Sequence, residues 1–202
     1  MKKIITINRQ FSSGGREVAK RLSDKLECAY YDRQLIEIIA QESGLHPDYI
    51  EKYSEANISR SYPINFANTF SHISQLCPAT NVQLIQAKAI LNLAQKNDAI
   101  FVGRCADDIL REMKPFKVFI YASDMQARIE RCKKRDESEK SMTDKEWSKM
   151  ILKVDGERRK FYERYTMKEW ENMSNYHVCI DTSTIGIEGA VEIIEHAMKI
   201  IK

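Results

Sequence analysis

The sequence predicts a three-layer α/β fold in which helices cover both faces of a parallel β-sheet. Short β-branched runs alternate with longer helix-like segments along the chain, and this alternation is typical of strand–helix–strand units. The runs are apolar at most positions, as in strands that are buried on both faces of a sheet. Ligands of such folds bind beyond the carboxyl ends of the strands, so functional residues are expected there.

The predicted elements fill most of the chain. Five strands are predicted over residues 4–7, 28–31, 99–103, 117–121 and 177–180. Helices are predicted over residues 15–26, 33–43, 47–54, 80–96, 104–112, 123–135, 144–165 and 187–200. The length of 202 residues fits a single domain over 1–202 with room for a small insertion.

Two segments fit the sheet pattern poorly. Residues of about 45–80, and 55–79 above all, are rich in Asn, Ser and aromatic residues and predict a helical and loop-rich insertion. Such a segment either caps a binding site or is a variable surface excursion. The highly charged residues of about 133–145 predict a short lid over phosphates or, alternatively, an exposed connection between two helices.

The composition is that of a soluble globular protein, with 43% apolar and 30% charged residues. A net charge of +3 is too small to favour a nucleic-acid partner. The five cysteines are widely spaced without a C-x-x-C motif, which argues against disulfides or a zinc site and favours reduced thiols in a cytosol. With no signal-peptide pattern and no apolar stretch of about 20 residues, we expect a cytoplasmic protein that does not span a membrane.

Residues 12–17 read Ser-Ser-Gly-Gly-Arg-Glu and lie between the first strand and the first helix. Small residues at such a turn let backbone N–H groups surround an anion, and the helix N-terminus adds partial positive charge. Aligned with the pattern G-x-x-x-x-G-K-[ST], Gly14 takes the second Gly, Arg9 the first Gly, Gly15 the Lys and Arg16 the hydroxyl residue. The turn therefore has the shape of a phosphate loop without its Lys and hydroxyl.

Two residues of this turn are candidates for the missing chemistry. Arg16 is a candidate for the lost positive charge, since guanidinium groups match phosphate well. Glu17 is a candidate Mg²⁺ ligand, because this ion prefers carboxylate oxygens. A Glu in the first turn of a helix also stabilises the helix electrostatically, which is an alternative explanation for Glu17.

Charged residues also follow the second and third strands. Asp32 is a good helix N-cap, a role that suffices to explain it, whereas Arg33 beside it is harder to explain as structure. Gly103 allows close approach of a ligand. Arg104 follows it at the sheet edge where phosphates bind, or alternatively is a surface arginine that starts a helix.

Two further groups of residues predict arginine-bearing helix faces. Arg128, Arg131 and Arg135 are spaced by three and four residues and share one face. Asp155 and Arg158 are three apart and share another. These faces favour a phosphate-rich ligand, although the cluster at 128–135 also fits a solvated helix surface.

Taken together, these residues resemble the cytidylate kinase-like family, a branch of the P-loop nucleoside monophosphate kinases. The resemblance runs in the same order over nearly the whole chain, and it is carried by residues 8–19, 30–33, 101–104 and 180–182. It implies a P-loop kinase fold with a five-stranded parallel sheet in the order 2-3-1-4-5, an acceptor-side insertion and a short lid. It also implies transfer of the γ-phosphoryl group of ATP, with Mg²⁺, to a nucleoside monophosphate such as CMP or dCMP.

The resemblance assigns roles to individual positions. The ATP-binding phosphate loop would be Ser12, Ser13, Gly14, Gly15, Arg16 and Glu17, while the Mg²⁺ role of Glu17 rests on its carboxylate alone. The acceptor-binding residues would be Asp32, Arg33, Gly103, Arg104, Asp107 and Asp155. The catalytic arginines would be Arg16, Arg128, Arg131 and Arg158.

The sequence departs from cytidylate kinases at several points. The loop Lys is Gly15, Ser12 replaces a frequent Gly, and the arginine expected before the Asp-x-x-Arg pair falls near Ile151. The expected partner is a small-molecule nucleotide, and a homodimer is possible. Two alternatives to a kinase remain: a non-catalytic nucleotide- or phosphate-binding regulatory protein, and an interaction domain with no nucleotide role.

Overall fold

The computed structural model of the chain describes residues 3–54, 78–135 and 142–200. Within these residues the strands are β1 (Ile4–Arg9), β2 (Ala29–Tyr31), β3 (Ala99–Val102), β4 (Phe116–Tyr121) and β5 (Val178–Asp181). The α-helices are α1 (Gly15–Leu26), α2 (Gln34–Ser43), α3 (Pro47–Ser54), α4 (Pro78–Lys96), α5 (Ala106–Ile109), α6 (Met125–Arg135), α7 (Asp144–Thr166) and α8 (Thr182–Ile200). Two 3₁₀ turns occupy Arg111–Met113 and Met173–Asn175.

The five strands form one sheet in the order β2-β3-β1-β4-β5, and every neighbouring pair is parallel. This confirms the predicted architecture, including the strand order that the family resemblance implies. In the central strand, Ile5 pairs with Ile100 of β3 and with Phe116 of β4. Because all strands run the same way, the turns after β1, β3 and β4 lie at one edge of the sheet.

Each face of the sheet has its own apolar core. Alternate residues of a strand point to opposite faces, so Ile5 and Ile7 pack with α1 and α8 residues such as Leu22 and Val191. Ile4 belongs to the second core, on the opposite face, which includes residues of α2, α4 and α7. The helices thereby fix the ends of the strands from which the site is built.

Two helices, α5 and α8, differ from the prediction by more than two residues at one end. Helix α5 is shorter than the predicted 104–112, because Arg104 and Cys105 adopt φ angles of 57° and 56°, which are incompatible with a right-handed helix. Helix α8 begins at Thr182, ahead of the predicted 187, and is interrupted at Gly186, where φ is 75° and ψ is 179°.

The predicted insertion and lid lie partly outside the described residues, which omit 55–77 and 136–141. Helix α3 and the beginning of α4 belong to the predicted insertion. The capping and lid functions of these segments therefore stay predictions. Within the described part of the chain, no helix combines the length and the apolar character that a membrane span requires.

Candidate phosphate-binding site

The turn between β1 and α1 has an unusual backbone. Ser12 and Gly14 both lie in the left-handed region, with φ of 58° and 81°, and this region is costly for a residue with a side chain. The Ser12 hydroxyl donates a 2.9 Å hydrogen bond to the carbonyl of Arg128. The turn delivers the chain to the first turn of α1, whose amide N–H groups have no partner within the helix.

A cleft of about 420 Å³ lies against this turn. The basic side chains that line it are Arg9, Arg16, Arg131, Lys134, Arg135 and Arg158. Among the residues that the structure describes, the single acidic residue in its lining is Glu17. Guanidinium groups and a helix N-terminus around one cleft favour a polyanionic ligand, for which charge-assisted hydrogen bonds are strong.

A buried ion pair between Arg128 and Asp155 supports the loop from outside the cleft lining. The Arg128 Nε donates to the carbonyl of Phe11 at 2.9 Å, and the Phe11 N–H donates to Asp155 Oδ1 at 2.6 Å. The two side chains are only 4% and 8% exposed and are not among those that line the cleft. The sequence predicts a catalytic role for Arg128 and an acceptor-binding role for Asp155. In the structure the two side chains contact the backbone of the loop and each other.

A second anchor comes from the start of α8. The Thr182 hydroxyl donates to the carbonyl of Ser13 at 2.6 Å. The Ser13 hydroxyl in turn donates to the carbonyls of Gln10 and Ile120, at 2.9 and 3.1 Å. Ser13 is fully buried, so its side chain supports the loop and its hydroxyl is turned away from the cleft.

Both glycines of the loop occupy positions where a side chain would collide. A Cβ atom on Gly14 would lie 2.3 Å from Ile187 Cδ1. A Cβ atom on Gly15 would lie 2.5 Å from Arg9 Cβ and 3.1 Å from Arg9 Cγ. The side chain of Arg9 therefore fills the space next to Gly15, where the usual loop pattern has its Lys.

Asp32 joins the ends of β1 and β2. Its Oδ2 lies 2.6 Å from Arg16 Nε, and its Oδ1 lies 3.9 Å from Arg9 Nη2. The Tyr30 hydroxyl donates to Oδ2 at 3.4 Å. Burial, together with the negative charge of Asp32, raises the pKa of Tyr30 to about 12, so this phenol stays protonated at neutral pH.

The predicted N-cap role of Asp32 is wrong. Helix α2 begins at Gln34, its N-cap residue is Arg33, and no side-chain hydrogen bond caps it. The Asp32 carboxylate lies against Arg16 instead, in a pair in which both partners are ionised. Arg33 itself is exposed and is not part of the cleft lining.

Glu17 is held by two arginines. Its Oε1 lies 2.7 Å from Arg21 Nη2, and its Oε2 lies 3.3 Å from Arg131 Nη1. Both carboxylate oxygens thus face guanidinium groups, and a Mg²⁺ ion would have to displace one of them. Among the described residues, no group of three or more His, Cys, Asp or Glu side chains is placed to hold a metal ion.

Two arginines of the cleft pack on the ring of Phe11. The guanidinium carbons of Arg135 and Arg158 lie 5.2 and 5.5 Å from the ring centroid, within the range of cation–π attraction. The Arg158 Nη1 also donates to the carbonyl of Arg9 at 3.1 Å. The loop thus holds arginines of α6 and α7 at its surface.

The turn after β3 forms a second region beside the cleft. Gly103, Arg104 and Cys105 adopt three successive positive φ angles, of 71°, 57° and 56°, and such strain is concentrated at functional sites. The Arg104 Nη1 donates to Gln86 Oε1 at 3.0 Å. This turn shares a cavity of about 10 Å³ with Arg9 and Arg158, so the two regions meet at those arginines.

Asp107 lies beneath this turn in a buried network. It accepts hydrogen bonds from Asn8 Nδ2 at 3.1 Å and from the Tyr162 hydroxyl at 2.6 Å. Burial raises the pKa of Asp107 above its usual value, although both hydrogen bonds oppose the shift. Its contacts join the end of β1 to helix α7.

The structure brings together only some of the predicted residues. The predicted residues in the cleft lining are Ser12, Gly14, Gly15, Arg16, Glu17, Arg131 and Arg158. Sequence analysis assigned no site role to Arg9 or Phe11, and it assigned none to Arg135 beyond its helix face. The sequence shows that Arg9 replaces the first Gly of the loop pattern. That Arg9 leaves no space for a side chain at position 15 follows only from the distance between the two positions.

The chain is similar in sequence and in fold to known proteins. The chain is 23% identical over 205 residues to a cytidylate kinase from Methanocaldococcus jannaschii, which covers 98% of this chain and 99% of that protein. A crystal structure of an uncharacterized protein from Eubacterium ventriosum superposes with a TM-score of 0.72 at 21% identity, covering 98% and 99% of the two chains. Shikimate kinase from Bacteroides thetaiotaomicron gives a TM-score of 0.54 at 12% identity, with 98% of each chain covered.

The likeness to these solved structures concerns the fold. The sequence model of the cytidylate kinase-like family adds the relationship itself, because it matches residues 4–184. That range includes the phosphate loop, the turn after β3 and the arginines of α6 and α7. The chain therefore belongs to the cytidylate kinase-like family.

Proposed function

We propose that the protein transfers the γ-phosphoryl group of ATP to a nucleoside monophosphate, with CMP or dCMP as the acceptor. The observation that carries this proposal is the convergence of Arg16, Arg131 and Arg158 on one cleft beside the phosphate loop. Membership in the cytidylate kinase-like family supports a nucleotide kinase. The choice of a cytidine nucleotide rests on the family and on a relative at 23% identity.

Phosphoryl transfer depends on positioning and on neutralising the charge of the transferred group. The amide groups at the start of α1 would bind the donor phosphates, as helix N-termini do. Arg131 and Arg158 approach from α6 and α7 and would neutralise the phosphoryl oxygens. ATP carries Mg²⁺ on its own phosphates, and we assign that ion no protein ligand, because Glu17 is held by Arg21 and Arg131.

We place the acceptor on the side of the turn after β3. Arg104 is the candidate for contact with the acceptor phosphate, and Gly103 leaves room for its approach. Arg158 borders both the cleft and the cavity of Arg104, so it is suited to bridge donor and acceptor. Asp107, Asp155 and Arg128 act as positioning residues in this proposal, and Asp32 orients Arg16.

The second candidate function is nucleotide binding without transfer. Its support is the loop itself, in which Gly15 and Arg16 replace the Lys and the hydroxyl residue of the usual pattern. Removal of one positioned electrostatic group commonly costs roughly 10²–10³ in rate. A chain that retained the anion site without the rate would serve as a nucleotide sensor.

A nucleotide panel separates the two candidates. Coupled transfer assays with ATP–Mg²⁺ and CMP, dCMP, UMP or AMP are expected to give the highest kcat/KM with a cytidine nucleotide. Arg158→Gln is expected to abolish transfer, while Lys199→Gln, at an exposed residue of α8, leaves it unchanged. A thermal shift with ATP but no transfer to any acceptor would favour the sensor, and no nucleotide effect at all would refute both functions.

A further inference from the structure

Compared with the phosphate-loop pattern, Arg9 adds a long cationic side chain and Gly15 lacks one. The pattern has Gly at its first position and Lys after its second Gly, whereas this chain has a long cationic residue at the first and none at the later position. Arg9 is the last residue of β1, its side chain is 6% exposed, and it lines the cleft.

The space at this point of the loop admits one side chain. A Cβ on Gly15 would lie 2.5 Å from Arg9 Cβ, which is shorter than the contacts that real Cβ atoms make. It would also lie 3.3 Å from Ile120 Cβ on the neighbouring strand. A side chain at position 15 therefore requires Gly at position 9, and the side chain of Arg9 in turn requires Gly at position 15.

We propose that Arg9 and Gly15 form a compensating pair, in which Arg9 supplies from the end of β1 the cation that binds the donor polyphosphate. The inference rests on the proposed function only for the identity of the ligand as a nucleoside triphosphate. Arg9 is then a phosphate-binding residue of the loop. Arg16 is a second guanidinium group that lies against the same Asp32 carboxylate.

The surroundings of Arg9 suit this role. Asp32 Oδ1 lies 3.9 Å from Arg9 Nη2, and the same carboxylate holds Arg16 at 2.6 Å, so one anion orients two guanidinium groups beside the loop. The carbonyl of Arg9 accepts a hydrogen bond from Arg158 at 3.1 Å. A guanidinium group keeps its charge at any working pH and presents a planar fork to two phosphate oxygens, which an ammonium group does not.

Four proteins test the pair: the wild type, Arg9→Gly, Gly15→Lys, and the double variant Arg9→Gly/Gly15→Lys. Calorimetric titration with inorganic tripolyphosphate and with ATP, without acceptor, measures the affinity, and thermal unfolding measures the fit of the side chains. Loss of the charged contact in Arg9→Gly is expected to weaken binding about 10- to 100-fold. Gly15→Lys is expected to unfold at a lower temperature and bind weakly, and the double variant to regain stability and affinity.

Matched variants separate charge, volume and general damage. Arg9→Met keeps most of the volume and is expected to lose as much affinity as Arg9→Gly. If Gly15→Lys fails to fold, Gly15→Ala and Arg9→Gly/Gly15→Ala test the same collision through their unfolding temperatures. Gly156→Ala, where an added Cβ meets nothing within 4 Å, and Lys199→Gln are expected to bind like the wild type.

The inference is overturned if Arg9→Met binds tripolyphosphate like the wild type, or if the double variant is no better than Gly15→Lys. A wild type that binds tripolyphosphate through Arg9 but transfers no phosphoryl group would refute the proposed kinase and leave the pair intact. A wild type that binds neither tripolyphosphate nor ATP would refute both.

Discussion

Arg128 and Asp155 form a buried ion pair that grips both backbone groups of Phe11, since the guanidinium group binds its carbonyl and the carboxylate accepts from its N–H. The two residues come from α6 and α7. The shape of the turn between β1 and α1 thus depends on helices far from it in sequence, and the same two helices carry Arg131 and Arg158.

Removal of one partner of this pair is expected to destabilise the protein strongly. Arg128→Met leaves the Asp155 carboxylate buried without its cation, and such a change commonly costs about 3–5 kcal/mol. The double variant Arg128→Met/Asp155→Leu leaves no buried charge and is expected to cost less than the sum of the single variants. Urea unfolding of the four proteins measures this coupling. Additive costs would refute the coupling of the two residues. A large fall in kcat without loss of stability in Arg128→Met would favour the catalytic role expected from sequence.

Glu17→Gln tests the predicted metal ligand. Because its carboxylate is bound by Arg21 and Arg131, we expect the Mg²⁺ concentration for half-maximal transfer to stay within about twofold of the wild type. Removal of a negative charge beside the phosphates is expected to strengthen ATP binding, typically by less than tenfold at a solvent-exposed position. Glu188→Gln, which removes another partner of Arg21, is the control. A Mg²⁺ requirement that rises many-fold in Glu17→Gln alone would establish the metal role.

Arg104→Gln separates acceptor binding from donor binding. The side chain lies in the turn after β3 and bonds Gln86 of α4, and it is not part of the cleft lining beside the loop. We expect the KM for the acceptor to rise at least about tenfold, as for a lost charge-assisted bond, with the KM for ATP unchanged. Steady-state kinetics with each substrate varied in turn gives both values. An equal change in both constants would place Arg104 at a point common to donor and acceptor.

Asp107 gives a prediction for the pH dependence of stability. Burial raises its pKa in the folded protein above the ordinary value of 3.8, so the folded state holds the proton to higher pH than the unfolded chain. Its contribution to stability is present below about pH 3.8 and is lost as the pH rises through the raised pKa. Asp107→Asn cannot ionise, and its stability relative to the wild type should therefore increase between about pH 4 and pH 8.

Urea unfolding across this range measures the Asp107 effect, and the exposed Asp24→Asn is the control. In Asp107→Asn the amide oxygen still accepts from Asn8, and the Tyr162 hydroxyl rotates to accept from the new amide group. A stability difference that is constant with pH would show that Asp107 is ionised in the folded protein throughout.

The sequence was sufficient for the fold because the signals that define it are local. The first four residues of Ile4–Arg9 are β-branched, and five of the six residues of Phe116–Tyr121 are apolar. The alternation of such runs with helices indicates a parallel sheet. The shortening of α5 escaped prediction because positive φ angles at Arg104 and Cys105 are a tertiary effect. Nothing in the local sequence distinguishes these two residues from ordinary helix starters.

The site was harder to predict because the role of each residue depends on the direction in which its side chain points. Arg128 and Arg131 are three apart on one helix, yet one turns to the buried Asp155 and the other lines the cleft. Asp32 is a favoured residue type for an N-cap and instead binds Arg16. Sequence spacing places residues on a face, whereas the choice among competing partners is decided by charges that arrive from other strands and helices.

The tie between Thr182 and Ser13 also constrains the order in which the chain acquires its function during synthesis. Asp155 and Thr182, which lock the turn that begins beyond Arg9, are made more than a hundred residues after it. While the nascent chain ends short of Thr182, the turn between β1 and α1 lacks its hydrogen bond from α8. Its positive φ angles are then not offset by that contact. Anion affinity should therefore emerge only when the last strand has left the ribosome, long after the loop itself has been translated.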